Sequence, residues 1–185
     1  AAEQQILIKD ATALEQLRKV DALVTDKTGT LTIPNKNVVD FTRADDLALD
    51  ERETLKPNAR EAVETLKKMG VEVHLLSGDK EQAVSYWAQQ AGIEHYQSGV
   101  MPADKEALVK QLQSEGKTVA MMGDGINDTQ ALALADVSIA IGTGTDVAMD
   151  VAQVTLMGDD LQTVPAAIDL SRRTVKMIWQ NLFWA

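Results

Sequence analysis

The sequence predicts an α/β fold, a central, mostly parallel sheet with helices on both faces. Short apolar runs rich in Val, Ile and Leu alternate with stretches of helical periodicity, the pattern of repeated strand–helix units. The apolar runs lack strict polar alternation, as expected of strands covered on both faces. Helix boundaries are marked as well: Gly70, Gly92 and Gly116 sit where C-terminal caps belong, and Pro57 and Pro102 lie near helix starts.

In chain order, a helix is predicted over residues 11–17 and a buried strand over 22–25. The stretch from Ile33 to Lys56 is polar and weakly patterned, with acidic clusters at Asp45-Asp46 and Asp50-Glu51. It has room for a short strand at 38–41 and a linker, and is too short for a second domain. A helix over 58–69, a strand over 71–76 and a helix over 80–91 follow. Next come a helix over 103–115, a strand over 118–122, a helix over 127–134 and a strand over 137–141. A helix over 146–152, a strand over 154–157 and a helix over 161–178 complete the series. Met121, Met122, Met149 and Met157 fall at expected core positions and read as packing. His74 lies in a buried strand and His95 near a short edge segment; both read as structural.

The 185 residues suit one domain. The net charge of −10, from 18 basic and 28 acidic side chains, argues against a nucleic-acid partner, because backbone phosphates demand clustered Lys and Arg. A small phosphate carried with Mg²⁺ stays compatible, since the metal supplies positive charge locally. There are no cysteines, so neither disulfides nor thiolate metal sites form within these residues. No signal peptide is visible, and no run reaches the roughly 20 apolar residues that span a bilayer. The end, Trp179-Gln180-Asn181-Leu182-Phe183-Trp184-Ala185, follows Arg172, Arg173 and Lys176. Basic residues before Trp suit either the first turn of a membrane helix or an amphipathic helix end docked on the core.

Ligands of open parallel sheets bind beyond the carboxyl ends of the strands, and polar motifs stand at those places. Asp26-Lys27-Thr28-Gly29-Thr30-Leu31-Thr32 follows the strand 22–25. An Asp there can attack phosphorus to form an acyl phosphate, and Gly29 lets the turn bring backbone N–H groups to phosphate oxygens. Any single Asp-x-Thr is more often a plain polar turn; all seven residues after a buried strand favour the phosphate reading. Ser77-Gly78-Asp79 closes the strand 71–76. Ser77 can donate to a phosphoryl oxygen and Gly78 permits close approach, although for this motif alone helix capping is the better reading, and the two roles can coexist. Lys105, in Pro102-Ala103-Asp104-Lys105, offers an ammonium to offset charge in the transition state. Gly123-Asp124-Gly125-Ile126-Asn127-Asp128 follows the strand 118–122. Asp124 and Asp128, four apart across a glycine-rich turn, suit Mg²⁺, which takes carboxylate and phosphate oxygens.

With these motifs in this order, the chain resembles the haloacid dehalogenase superfamily. The stretches Asp26–Thr32 and Gly123–Asp128 resemble the P-type ATPases. Gly142-Thr143-Gly144-Thr145-Asp146-Val147-Ala148 and Gln180-Asn181-Leu182-Phe183-Trp184 are similar to the heavy-metal branch, most closely its copper(I) exporters. The resemblance implies a Rossmann-like fold and an Asp26 phosphorylated by ATP. It implies Mg²⁺ held by the Asp26 carboxylate, the Thr28 carbonyl and Asp124. Ser77, Gly78 and Lys105 would surround the phosphoryl group, with Gly29, Thr30, Asn127 and Asp128 supporting. Partners implied are the nucleotide-binding, actuator and membrane domains of a full-length pump and its transported ion, Cu⁺ favoured. The location implied is the cytoplasmic side of a membrane, bacterial inner or plasma membrane.

On this reading residues 1–32 and 57–178 form the phosphorylation domain, and 179–185 begin a membrane helix. Residues 33–56 stand where relatives of this kind insert a nucleotide-binding domain, so adenine-recognising residues have no counterpart. Phosphatases of the superfamily carry an Asp two residues after the nucleophile, where this chain has Thr28. Losing that acid and base forfeits about 10²–10⁴-fold in hydrolysis, which favours a lasting phosphoenzyme over the alternative of a free-standing phosphatase on small phosphate esters. A non-enzymatic docking module is disfavoured by the joint presence of Asp26, Lys105 and Asp124.

Overall fold

A computed structural model describes residues 6–34, 53–123, 129–142 and 152–184, apart from the side chains of residues 34, 179, 183 and 184. In chain order the elements are β1 (Ile6–Ile8), α1 (Ala11–Lys19), β2 (Ala22–Asp26), β3 (Thr32–Pro34), β4 (Glu53–Leu55), α2 (Ala59–Lys68), β5 (Glu72–Leu76) and α3 (Glu81–Ala91). They continue with β6 (His95–Gln97), α4 (Pro102–Ser114), β7 (Val119–Met122), α5 (Thr129–Leu134), β8 (Val137–Ile141), β9 (Val154–Leu156) and α6 (Thr163–Trp184).

Seven strands form one sheet in the order β1-β9-β8-β7-β2-β5-β6. Every pairing in it is parallel except β1 with β9. β2, β7 and β8 are buried almost throughout, the result of helices on both faces. On one face Ala62 and Leu66, Val84 and Ala88, and Val164 and Ile168 pack from α2, α3 and α6, with Leu17 of α1 and its capping residue Val20. On the other, Leu108, Val109 and Leu112 of α4 join Ala131 and Leu132 of α5.

The expected parallel sheet is present, with differences that have physical causes. β2 runs through Asp26, one residue beyond the predicted end, because the ladder with β5 continues to the pair Asp26 and Leu76. β1 was not expected; three residues carry too little pattern, and its partner β9 lies at the far end of the chain. The stretch read as a linker contributes an antiparallel hairpin, in which Thr32–Pro34 pairs with Glu53–Leu55. The predicted strand at 38–41 and the helix over 146–152, apart from Ala152, lie outside the described residues, as does Met149. Met121 and Met122 are core, whereas Met157 is only half-buried.

α6 starts at Thr163 rather than 161, because the Asp160 carboxylate accepts from the Gln162 N–H at 2.9 Å and the Asp160 carbonyl accepts from the Thr163 hydroxyl at 2.7 Å. It runs on to Trp184. Arg172 is not a surface cation. Its guanidinium donates to the carbonyls of Met69, Arg18 and Val20 at 3.2, 3.4 and 3.4 Å, satisfying acceptors at the ends of α1 and α2. Past Val175 the helix leaves the core: Met177, Ile178 and Leu182 are exposed. Among the described residues, no helix is long and apolar enough to cross a membrane.

At the sheet's far edge His74 and His95 stack with ring centroids 4.8 Å apart. The Nε2 of each lies near Glu72 Oε1, at 3.2 and 3.3 Å, and Lys117 Nζ holds the other Glu72 oxygen at 2.6 Å. Burial, more than any neighbour, pushes the His74 imidazole below its usual titration range, with His95 and Lys117 adding to the effect and Glu72 opposing it.

Two outcomes follow for stability. Leu75→Ala, at a fully buried position of β5, lowers the unfolding free energy by about 2–5 kcal/mol in urea titrations, whereas Leu182→Ala at the exposed end of α6 changes it by less than about 0.5 kcal/mol. Because His74 binds a proton more readily unfolded than folded, stability is complete above about pH 6.5, the unfolded value, and falls as pH drops below it towards the lowered folded value. His74→Gln flattens that fall, as read from urea midpoints across the acid range.

Candidate active site

Parallel pairing on both sides of β2 brings its neighbours' C-terminal ends to the same edge. Asp26 pairs with Leu76, the last residue of β5, so the chain turns into Ser77 beside it. Thr25 pairs with Met122, the last residue of β7, so Gly123 emerges on the opposite side. Of the Gly123–Asp128 motif, Asp124, Asn127 and Asp128 lie outside the described residues. The sheet therefore brings Asp26 and Ser77 to one edge, as expected from their positions after strands.

After Asp26 the chain winds around a single carbonyl. The oxygen of Lys27 accepts from the N–H groups of Leu31 at 2.9 Å, Thr32 at 3.0 Å and Thr30 at 3.4 Å. Gly29 makes this possible by taking φ +78°, a left-handed conformation costly for residues with a Cβ, while its N–H donates to the Thr32 carbonyl at 3.0 Å. Thr30 is buried and Thr28 exposed. The Asp26 carboxylate accepts the Lys27 N–H at 2.9 Å, which holds its rotamer.

Lys105 comes from the first turn of α4, where Pro102 opens the helix and the Asp104 carboxylate accepts the Met101 N–H at 2.8 Å. Lys105, Leu108, Val109 and Leu112 are the buried residues of α4, so the lysine occupies the core-facing stripe. Its Nζ reaches 3.5 Å from Asp26 Oδ1, with the two side chains only 8% and 15% exposed. Low exposure strengthens the attraction between them. Ser77 is buried, and its Oγ accepts the Asp79 N–H at 3.1 Å. A Cβ on Gly78 would sit 3.3 Å from the Val100 carbonyl, so glycine lets the turn lie tight against the segment leading into α4.

Three charged groups near Asp26 carry no role in the sequence reading. Lys27, only 1% exposed, contacts Glu53 of β4 and lies 2.8 Å from Asp79 Oδ2. The Glu53 carboxylate also accepts from the hydroxyls of Thr32 at 3.0 Å and Thr28 at 3.2 Å. Lys27 and Asp79 stand inside motifs already quoted, but Glu53 lies within the weakly patterned stretch 33–56 and has no local signal. A fourth group, Lys56, is buried beside the start of the Gly142 segment: a Cβ on Gly142 would lie 3.4 Å from its Nζ. Burial lowers the proton affinity of this ammonium, and Asp159 partly restores it.

The chemistry of the edge suits a hard cation. Asp26 offers a carboxylate and Thr28 a carbonyl, oxygen donors of the kind Mg²⁺ prefers.

A profile for haloacid dehalogenase-like hydrolases matches residues 36–136. The mouse copper-transporting ATPase 1 is 55% identical over 133 residues, which cover 72% of this chain and 9% of that protein. A copper-exporting P-type ATPase of Staphylococcus aureus is 46% identical over 133 residues, covering 72% and 17% respectively. The chain thus spans less than a fifth of those relatives. Among solved structures, a zinc-transporting PIB-type ATPase superposes with a TM-score of 0.82 at 25% identity, over 98% of this chain and 46% of that one. The catalytic domain of the CPx-ATPase CopB-B gives a TM-score of 0.73 at 25% identity, over 88% and 95%.

The buried Lys56 generates a prediction. Its depressed proton affinity means the charged form is less favoured in the folded state at neutral pH. That penalty is present below the lowered folded value and vanishes as pH rises to the unfolded one. Lys56→Met removes the buried charge and leaves only the exposed Asp159 behind, so the urea midpoint at pH 7 rises; a drop would show that the ammonium is net stabilising.

Proposed function

The chain belongs to the haloacid dehalogenase-like hydrolases, and from that premise we propose that it is the phosphorylation domain of a copper-transporting P-type ATPase, with Asp26 as the phosphoryl acceptor. The observation that carries the proposal is the Lys105 ammonium 3.5 Å from the Asp26 carboxylate at the mouth of a parallel sheet. An ammonium so placed orients the nucleophile and offsets charge developing on the phosphoryl oxygens. Ser77 donates to one of those oxygens, and Gly78 allows the close approach. The Gly29 and Thr30 N–H groups donate within their own turn, to the Thr32 and Lys27 carbonyls, so this turn shapes the edge instead of donating to phosphate; Asn127 and Asp128 take supporting roles.

Asp26, the Thr28 carbonyl and Asp124 would hold Mg²⁺, whose charge screens the phosphate from a domain of net charge −10. In the step itself an Asp26 oxygen forms the bond to phosphorus, the bridging bond to the donor's leaving phosphate or carboxylate breaks, and that group departs with the electron pair. ATP is the donor proposed for the full-length pump. Its nucleotide-binding, actuator and membrane domains would be this domain's partners, Cu⁺ the transported ion, and the cytoplasmic face of a membrane its place.

Hydrolysis of the product requires a proton acceptor for the attacking water. Thr28 supplies no carboxylate, and its hydroxyl is given to Glu53. That supports a phosphoenzyme that persists, and with it a transport cycle over a free-standing phosphatase.

Incubation with Mg²⁺ and acetyl phosphate is expected to add one phosphate at Asp26, located by mass spectrometry after reductive trapping. Asp26→Asn abolishes the adduct, and Lys105→Met slows its formation by about 10²–10³-fold, the usual loss when one transition-state charge partner is removed. Phosphate found on another residue, or undiminished in Asp26→Asn, would refute the assignment.

A further inference from the structure

We infer that Lys27 is a positioning residue for phosphoryl acceptance, the buried counter-charge that locks three segments around Asp26 and screens two carboxylates from the incoming anion. The inference rests on the reading of Asp26 given above. Lys27 is among the most completely buried large side chains of the protein, and an ammonium so far from water is tolerated only when paired. Its partners come from different parts of the chain, Glu53 from β4 and Asp79 from the turn after β5.

Each partner extends the network towards the phosphate edge. Glu53 takes the hydroxyls of Thr28 and Thr32, the two ends of the turn that follows Asp26. The Asp79 N–H donates to Ser77 Oγ, and its carbonyl accepts the Gly99 N–H at 2.9 Å. The Ser77 carbonyl accepts the Val100 N–H at 3.0 Å, at the threshold of the helix that delivers Lys105. One ammonium thus connects the nucleophile's turn, the Ser77 turn and the approach to α4.

Charge makes the same demand. Lys27 with Glu53 and Asp79 sums to −1, adjoining the carboxylate that must meet a phosphoryl anion. Without Lys27 the pair stands at −2, with Glu53 only 17% exposed. The two carboxylates would repel each other, loosen the grip on Thr28 and Ser77, and oppose the anion. The Lys27 ammonium pairs with Glu53 and Asp79, and it acts through them.

The test measures the dissociation constant of the BeF₃⁻ adduct at Asp26 with Mg²⁺ by ¹⁹F NMR, beside urea midpoints of the same proteins. Lys27→Met is expected to weaken the adduct by more than about ten-fold per folded molecule, the scale of a buried charge left without its partner. The triple variant Lys27→Met, Glu53→Gln, Asp79→Asn removes all three charges and keeps the acceptor oxygens for Thr28 and Thr32. It is expected to fold and to regain at least about five-fold of the lost affinity, since the repulsion is gone. Wild-type affinity in folded Lys27→Met overturns the inference, as does a folded triple variant that binds no better than the single one. Should Lys27→Met fail to fold, the folded triple variant decides: an adduct supports positioning, and none overturns it. An adduct missing from the wild-type protein sinks the Asp26 reading itself and this inference with it.

Discussion

The ion pair between Asp26 and Lys105 sets the terms for everything around it. A carboxylate at the end of a buried strand and an ammonium on the core face of a helix, 3.5 Å apart, must each give up most of their water. That cost is offset by their attraction for each other, which low exposure strengthens. The parallel architecture follows from the same need. Only parallel neighbours deliver several C-terminal turns to one edge, and β5 and β7 flank β2 in that way.

Buried lysines recur in a protein with a surplus of acid. Lys105, Lys27 and Lys56 are all taken out of solvent near the C-terminal edge, each against different carboxylates. Lys105 faces Asp26, Lys27 joins Glu53 and Asp79, and Lys56 lies within the field of Asp159. Each ammonium is thus balanced or outweighed by the carboxylates around it, so the edge gathers lysines without a local surplus of positive charge.

The fold was largely legible because its signals are local. β2, β5, β7 and β8 are runs of Val, Ile, Leu and Met that no other environment accommodates well, and their ends match expectation to within a residue. β1 and the β3–β4 hairpin escaped because three-residue strands are stabilised by partners remote in sequence rather than by their own pattern. The tail was half legible. A helix end was expected, but Arg172, read as one of a basic cluster, turns inward to three carbonyls; a solvated arginine and one that caps helices look identical in a string of letters.

What the sequence determined by itself is the identity of the groups that stand after strands: Asp26, Ser77 and the glycines that let their turns lie close. Backbone turns and strand ends depend on neighbours a few residues away, so their chemistry is written in consecutive letters. Which charges face one another was decided only by the tertiary structure. Glu53 reaches Lys27 from within the weakly patterned stretch, and Lys105 reaches Asp26 from the first turn of α4. Electrostatic pairing acts through space and is indifferent to chain order, so no local pattern encodes it.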